Sequence, residues 1–428
     1  QKILLFIASL FYFNFLFSKN EIKSWQGIHE TPLSRLEQQF AEPPVEFANH
    51  VIWGWEGKMD KKTICNDLDS IKKKGFRAVI FEAGYKLPFK YLSEEWFKAI
   101  RTGVVEAKKR DMKVWIIDEG KYPSGFAGGK FSQERPDLRM QALVIGDTIQ
   151  IKRGEVMTNH KIAPEIISAV AVSTSGAPNR TVEINNGKIS FNAGLDDWKI
   201  LLVKSDFRTA VTRAVNNPNG GKDATNSLCD YLNPVAVQQF IDWTHKQYKK
   251  YLGKELGTTV LGFRGDEPDY AHLPWTPSIV QTFKDTKGYD PTPYLASFFT
   301  ASPTIQEQRV KADYWDVWSS LFATHFFKLQ ADWCAANGVA HITHLNKEHE
   351  MPACVKAEGD YFRALSKVQI PGVDAIWNQI WPSTLNDFPK LASSVAHVYG
   401  KPRAFSESFA AYHISPTILQ AKFVVDHQ

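Results

Sequence analysis

The chain has 428 residues, 43% hydrophobic and 23% charged, an ordinary globular composition long enough for one large domain with an insertion. Its formal charge of +5 comes from scattered lysines, and no basic run interleaves with aromatics, so nucleic acid is excluded as a partner. Cys65, Cys229, Cys334 and Cys354 show no C-x-x-C spacing, which argues against a zinc ribbon or disulfide framework and for buried thiols.

Residues Ile3–Phe17 form an apolar run after Lys2 and before Ser18-Lys19-Asn20. That run is short for a membrane span and suits a secretory segment, so residues 1–18 are expected to be a signal peptide. No second span follows. The protein is expected to be periplasmic or secreted, or associated with the outer membrane. The chain starts at Gln1 rather than Met, so a truncated front is expected. A polar linker is expected over 19–44, ending in Pro43-Pro44.

From residue 45 onward, apolar runs alternate with helical patterns. HVIWGW (50–55) reads as the first strand. Asp60 is placed to cap a helix with Ile64, Leu68 and Ile71 on one face, closed by Lys72–Lys74 and Gly75. RAVIF (77–81) is the second strand, ending in Glu82, and Ser93 caps the helix after it. VWII (114–117) is the third, ending in Asp118-Glu119. This spacing is that of parallel βαβ units, with acids at one rim. The Gly-rich stretch 120–130 lacks the P-loop pattern, because Ser124 stands where its first Gly belongs. It reads as a rim loop.

From 141 to 230 short β-prone runs (142–145, 167–172, 182–184, 200–203) are separated by Asn- and Gly-rich turns, predicting a small antiparallel insertion. Asn233-Pro234 then opens a helix running to Gly253. TVLGFRGDEPDY (259–270) is the fourth strand, leading to Asp266, Glu267 and Pro268. A long helix is expected over 305–337. Strands follow at 339–343, ending in His344; at 373–377, ending near Gln379; and at 403–405, ending in Glu407. Ser415-Pro416 caps a last helix. Seven strands of an α/β (β/α)₈ barrel are thus expected over 45–140 and 231–428, with the eighth missing because the C-terminus is cut.

Acids at carboxyl ends of strands point to glycosidic cleavage, which needs one protonated carboxyl and one carboxylate. Glu267 and Glu407 would face each other across the barrel mouth as the catalytic pair. The like charge of Asp266 would raise the pKa of Glu267. Trp53, Trp55, Glu82, Asp118, Glu119, Tyr122, Asp266, His344, Glu348, Trp377 and Gln379 are candidates for substrate binding. The mixed stretch His344–Glu350 is a candidate for a divalent ion, though it has no established zinc spacing.

Several motifs carry a resemblance. They are Trp53-Gly54-Trp55, the run Asp118–Gly125, Asp266-Glu267-Pro268 with Pro274-Trp275-Thr276-Pro277 and Gly288-Tyr289-Asp290, the runs Gly359–Arg363 and Gln369–Asp374, and Lys401-Pro402-Arg403 leading to Ser406-Glu407-Ser408-Phe409. In this order they resemble secreted bacterial glycoside hydrolases of family 106, the α-L-rhamnosidase family, over residues 44–428. The resemblance implies a (β/α)₈ catalytic barrel, a general acid at Glu267, a base at Glu407 with Glu348 as rival, inversion of configuration and a calcium ion. Carbohydrate is the implied partner. Two other readings stay open: a retaining β-galactosidase-like hydrolase on the same barrel, and a catalytically inactive glycan-binding protein.

Overall fold

The computed structural model describes residues 32–428, apart from 45, 46, 48, 121, 209–211, 214–221, 224–226, 271, 272, 384, 385 and 413–415. The expected signal peptide, the front of the linker, the Asn-rich turn at 217–221 and the cap Ser415 lie outside these residues. The rest of the linker carries a helix, Leu33–Ala41, with no buried residue.

Seven strands form one curled parallel sheet: β1 (His50–Trp55), β2 (Ala78–Ala83), β3 (Lys113–Ile117), β4 (Val260–Gly265), β5 (Ala340–Thr343), β6 (Ile370–Ala375) and β7 (Phe405–Ser408). They pair in chain order, leaving β1 and β7 as the edges. Helices join successive strands, as parallel pairing requires. The caps expected from sequence are in place: Asp60 and Ser93 accept from the backbone amides of Thr63 and Trp96. The last helix, Ile418–His427, is capped instead by Thr417 in a capping box with Gln420.

Because side chains alternate along a strand, each strand feeds two layers. Val79, Phe81, Val114, Ile116 and Phe263 face the helices and pack with Trp96, Ile100 and Tyr248. Ile80, Trp115, Ile342, Ile370 and Phe405 face inward and fill the sheet's concave side. One register further on, that inner row turns polar at Glu82, His344 and Glu407. This alternation is what gathers the chemistry.

β4 carries a bulge against β3 between Val260 and Gly262. A Cβ on Gly262 would lie 1.9 Å from the Ala340 carbonyl oxygen, so β4 and β5 meet there only because the residue is glycine. Gly262→Ala forces two backbones apart rather than one side chain aside. A loss of about 3 kcal/mol or more is expected, at the severe end of overpacking. Thermal unfolding checks it: a melting temperature within a degree or two of wild type would refute the close approach.

The stretch 141–230 supplies an antiparallel sheet of Gln141–Ile151, Trp198–Phe207, Ile166–Ser173 and Arg180–Thr181. A two-stranded ribbon, Val156–Lys161 with Lys188–Asn192, shares a core with that sheet, and a tight turn at Asn186 and Gly187, both at positive φ, leads into its second strand by bridging Asn185 to Lys188. The strand expected at 182–184 is absent; the neighbouring Arg180–Thr181 pairs instead. Pro274–Trp275, from the loop after β4, adds the sheet's outer strand, so the insertion is pinned to the rim of β4.

Other elements also differ from expectation, and β7, expected over 403–405, runs from Phe405 to Ser408. The helix expected over 234–253 breaks at Thr244, whose hydroxyl donates to the Phe240 carbonyl oxygen at 2.7 Å. The helix over 305–337 passes through a π-helical turn at Phe322–Phe327. β6 begins three residues earlier than expected, since Pro371 and Gly372 lie inside it near its start. Cys229, Cys334 and Cys354 are buried free thiols and Cys65 is half-buried. Among the described residues no helix is long and apolar enough to cross a membrane.

Candidate active site

Arg264 stands at the centre of the polar row, 1% exposed near the carboxyl end of β4. Its Nη2 donates to Glu407 Oε2 and lies 3.4 Å from Asp266 Oδ1. His344 Nε2 reaches the same two acids, at 3.1 Å to Asp266 Oδ1 and 3.2 Å to Glu407 Oε2. His344 Nδ1–H donates to the Leu345 carbonyl oxygen at 2.8 Å, which leaves Nε2 for the carboxylates. Burial opposes a charge on His344, but the hydrogen bonds to Asp266 and Glu407 outweigh it and hold its pKa well above the ordinary range. Arg264 Nη2 sits 2.8 Å from that same nitrogen. Two cations so close repel, and the carboxylates shared between them offset the repulsion.

The acids divide. Burial alone would raise Glu407, but Arg264 and His344 together hold it well below the usual carboxylate range. Glu267 is pushed up to about 7, first by burial and then by the charge of Asp266. Asp374, in register with Glu407 across β6 and β7, is raised by burial. Glu348 is raised by burial too. Glu267, His344 and Asp374 each bring one ligand-type atom within 4.8 Å of the others, as do Asp266, His344 and Glu407. The two expected catalytic acids therefore converge on one imidazole.

The rim is strained where the chemistry sits. Glu267 has φ 41° directly before Pro268, and Lys347, Trp377, Asn378 and Phe409, on the loops after β5, β6 and β7, also lie at positive φ. Non-glycine residues pay about 1–3 kcal/mol for such backbone, so the surrounding packing holds them there.

The other expected site residues scatter. Glu82 points inward and contributes to the field around Arg264. Trp377 is 64% exposed on the loop after β6, open as a stacking platform. Gln379, on the same loop, bonds the Ile376 amide and His349. Tyr122 is half-buried on the Gly-rich loop.

Four residues are corrected. Trp53 and Trp55 share the outward parity of Phe81 and are buried under the helices, Trp53 packed edge-on against Phe81 and Trp55 against Trp96. Asp118 is fully buried, taking a bond from Ser124 Oγ at 2.7 Å. Ser124 Oγ in turn accepts from the Asp266 amide at 2.7 Å. Glu119 accepts from the amides of Gly120, Ala127 and Gly128. These two acids splint the Gly-rich loop to β4 rather than touch substrate.

Arg264 and Asp374 escaped the sequence reading. The signal available was a single charge inside each otherwise apolar strand, GFRG and VDA. His349 and Glu350 are exposed, so the ion-binding stretch does not act as a unit. The carboxylates do suit a hard cation: Glu348 and Asp374 are buried together, and Asp374 Oδ1 has no hydrogen-bond partner among the described residues. His245, Cys334 and His341 form another close group, but it lies among helix-facing aromatics, and burial keeps the Cys334 thiol protonated.

A cleft of about 820 Å³ runs from the open seam between β1 and β7 to Arg264 and Glu407. Ile52, on the edge strand, is 36% exposed beside it.

Known proteins share this fold and family. A solved rhamnosidase from Novosphingobium sp. PP1Y superposes with a TM-score of 0.63 at 16% identity, over 89% of this chain and 53% of that one. A curated protein of Formosa agariphila named "Putative beta-glucuronidase" is 23% identical over 433 residues, covering 88% of this chain and 35% of its own length. The chain thus spans about a third of that relative and about half of the rhamnosidase. The family model described as alpha-L-rhamnosidase, Glyco_hydro_106, matches residues 159–423. With more than half its length inside that model, the chain belongs to the α-L-rhamnosidase family of glycoside hydrolases.

Proposed function

We propose that the chain is the catalytic part of an exported glycoside hydrolase that removes a terminal sugar, L-rhamnose first among candidates, from a polysaccharide. The observation that carries this reading is the pair Glu267 and Glu407, gathered about His344 with opposite proton affinities. Glu267, protonated up to about pH 7, gives its proton to the leaving glycosidic oxygen. Glu407, held as a carboxylate by Arg264 and His344, acts on the opposite face as base or nucleophile. Its Oε2 holds those two partners, and its Oε1 bonds no described residue. Trp377 offers the sugar an apolar face. Calcium, when bound, would be held by Glu348 and Asp374 and would supply positive charge to sugar hydroxyls.

Seven sequential parallel strands, with an apolar inner layer below the acids, support a (β/α)₈ barrel whose seam lies between β1 and β7. The apolar run 3–17 supports export. A second reading, a β-D-glucuronide as substrate, is favoured by the name of the Formosa relative.

The test is a panel of aryl-glycosides, including α-L-rhamnoside, β-D-glucuronide and β-D-galactoside, incubated with the full-length protein. Release from the rhamnoside is expected, with NMR showing an inverted anomer. A retained anomer on the galactoside would favour the β-galactosidase-like alternative. Glycan binding without release from any glycoside would make it a binding protein.

A further inference from the structure

A second cavity, of about 770 Å³, opens further along the loops that follow β4 and β5. The first loop brings Tyr270, three residues past Glu267; the second brings Lys347, three past His344. The helix Ile305–Leu321 adds Lys311 and Trp315, and the helix Met351–Glu358 adds Lys356. Trp315 Nε1 donates to the Val355 carbonyl oxygen at 3.3 Å, which ties the indole to the opposite wall.

Charge sets this cavity apart from its neighbour. Three lysines line it, and no Asp or Glu does. Lys347 leans on Asp269 at 3.8 Å. The Lys311 ammonium lies 5.8 Å from the centre of the Phe298 ring, and neither it nor that of Lys356 reaches a carboxylate within 4 Å among the described residues. The site at Arg264 and His344 gathers carboxyl groups about its two cations, whereas this cavity combines ammonium groups with aromatic walls. Flat rings cover the apolar face of a pyranose, and ammonium groups hold a carboxylate or sulfate by charge-assisted bonds.

We propose that this cavity is an accessory subsite for an anionic sugar unit, uronate or sulfated, in the polysaccharide whose terminal sugar is cleaved at Glu267 and Glu407. The proposal rests on the glycosidase reading for the position of the cleaved bond, and on this cavity alone for the charge of the neighbouring unit. It makes the enzyme select acidic chains by binding them beside the scissile sugar, with Lys311 and Lys356 as specificity residues outside the catalytic machinery.

The test measures binding by calorimetry to full-length protein carrying Glu267→Gln, which slows turnover of oligosaccharides about 10³-fold. The probes are oligogalacturonates, sulfated oligosaccharides of the same length and neutral malto-oligosaccharides. At least one acidic series is expected to bind tenfold or more tighter than the neutral one, and its identity tells uronate from sulfate. Lys311→Gln with Lys356→Gln should weaken the preferred series about 10–100-fold, as loss of two charge-assisted contacts implies. The same lysine pair changed to Arg should retain the preference. In otherwise wild-type protein, the Gln pair should leave kcat and KM for a small neutral aryl-glycoside within twofold. Equal binding of acidic and neutral series, or a preference untouched by the Gln pair, overturns the subsite. So does a dimer in solution that the Gln pair dissolves, which would assign the face to a second copy. An acidic preference without cleavage of any glycoside would sink the enzyme reading and leave the subsite standing; cleavage without the preference does the reverse.

Discussion

Glu267→Gln is expected to lower kcat about 10³-fold on a substrate with a poor leaving group, because an amide holds no transferable proton and general acid catalysis contributes about 10²–10⁴. On an aryl-glycoside whose phenol leaves unaided, the loss should shrink to tenfold or less. The wild-type rate should fall as pH rises through about 7, where Glu267 gives up its proton, and that alkaline limb should vanish in the variant. Stability falls over the same rise in pH. The folded pKa of Glu267, about 7, lies above its ordinary 4.5. The folded state therefore binds more protons than the unfolded one between those values, and stability falls as pH rises through that window. The amide introduced by Glu267→Gln carries no such charge, so at pH 8 the variant should be more stable than wild type by about 1–3 kcal/mol. Equal losses of kcat on good and poor leaving groups would remove Glu267 from the acid role.

What made Glu267 visible in the sequence was position. An apolar run stopped by Asp-Glu-Pro names a strand end whether or not the neighbours are known. The same holds for Glu82 and His344, each two residues past an inward isoleucine, and for Glu407, two past Phe405. Parity misled in β1. Trp53 and Trp55 stand two residues apart, and the sequence does not say which face of HVIWGW is inner until Phe81 and Trp96 are seen packed on the tryptophans. Asp118 and Glu119 have the right address but are buried, Glu119 held by backbone amides of the Gly-rich loop and Asp118 Oδ1 by Ser124. Arg264 and Asp374 were hidden by the habit of reading a strand by its apolar majority. The outlying strand Pro274–Trp275 was hidden because its partner, Gln141–Ile151, is more than a hundred residues away.

Arg264 decides whether this acid cluster can exist. The side chain is buried with Glu407, Asp266 and His344 against its Nη2, and with Glu82 and Asp374 adding to the field. Arg264→Met keeps most of the apolar volume and removes the cation. The carboxylates it held are then buried without a partner, a condition that costs about 3–5 kcal/mol in comparable sites. The loss should depend on pH in a definite direction. Glu407's folded pKa is depressed, so its pairing stabilises the fold above its ordinary 4.5 and is lost as pH falls toward its lowered value. The variant lacks that contribution, and its deficit should be greatest above pH 5 and shrink on acidification, when the orphaned carboxyls take up protons. Urea unfolding of wild type and variant at pH 8 and pH 4 reads this directly. Adding Glu407→Gln to Arg264→Met should return part of the stability at pH 8, since the second change removes the charge the first one stranded. A deficit under about 1 kcal/mol at pH 8, or one that grows toward pH 4, would mean that Arg264 does not hold the cluster and that Glu407 owes its low pKa to His344 alone.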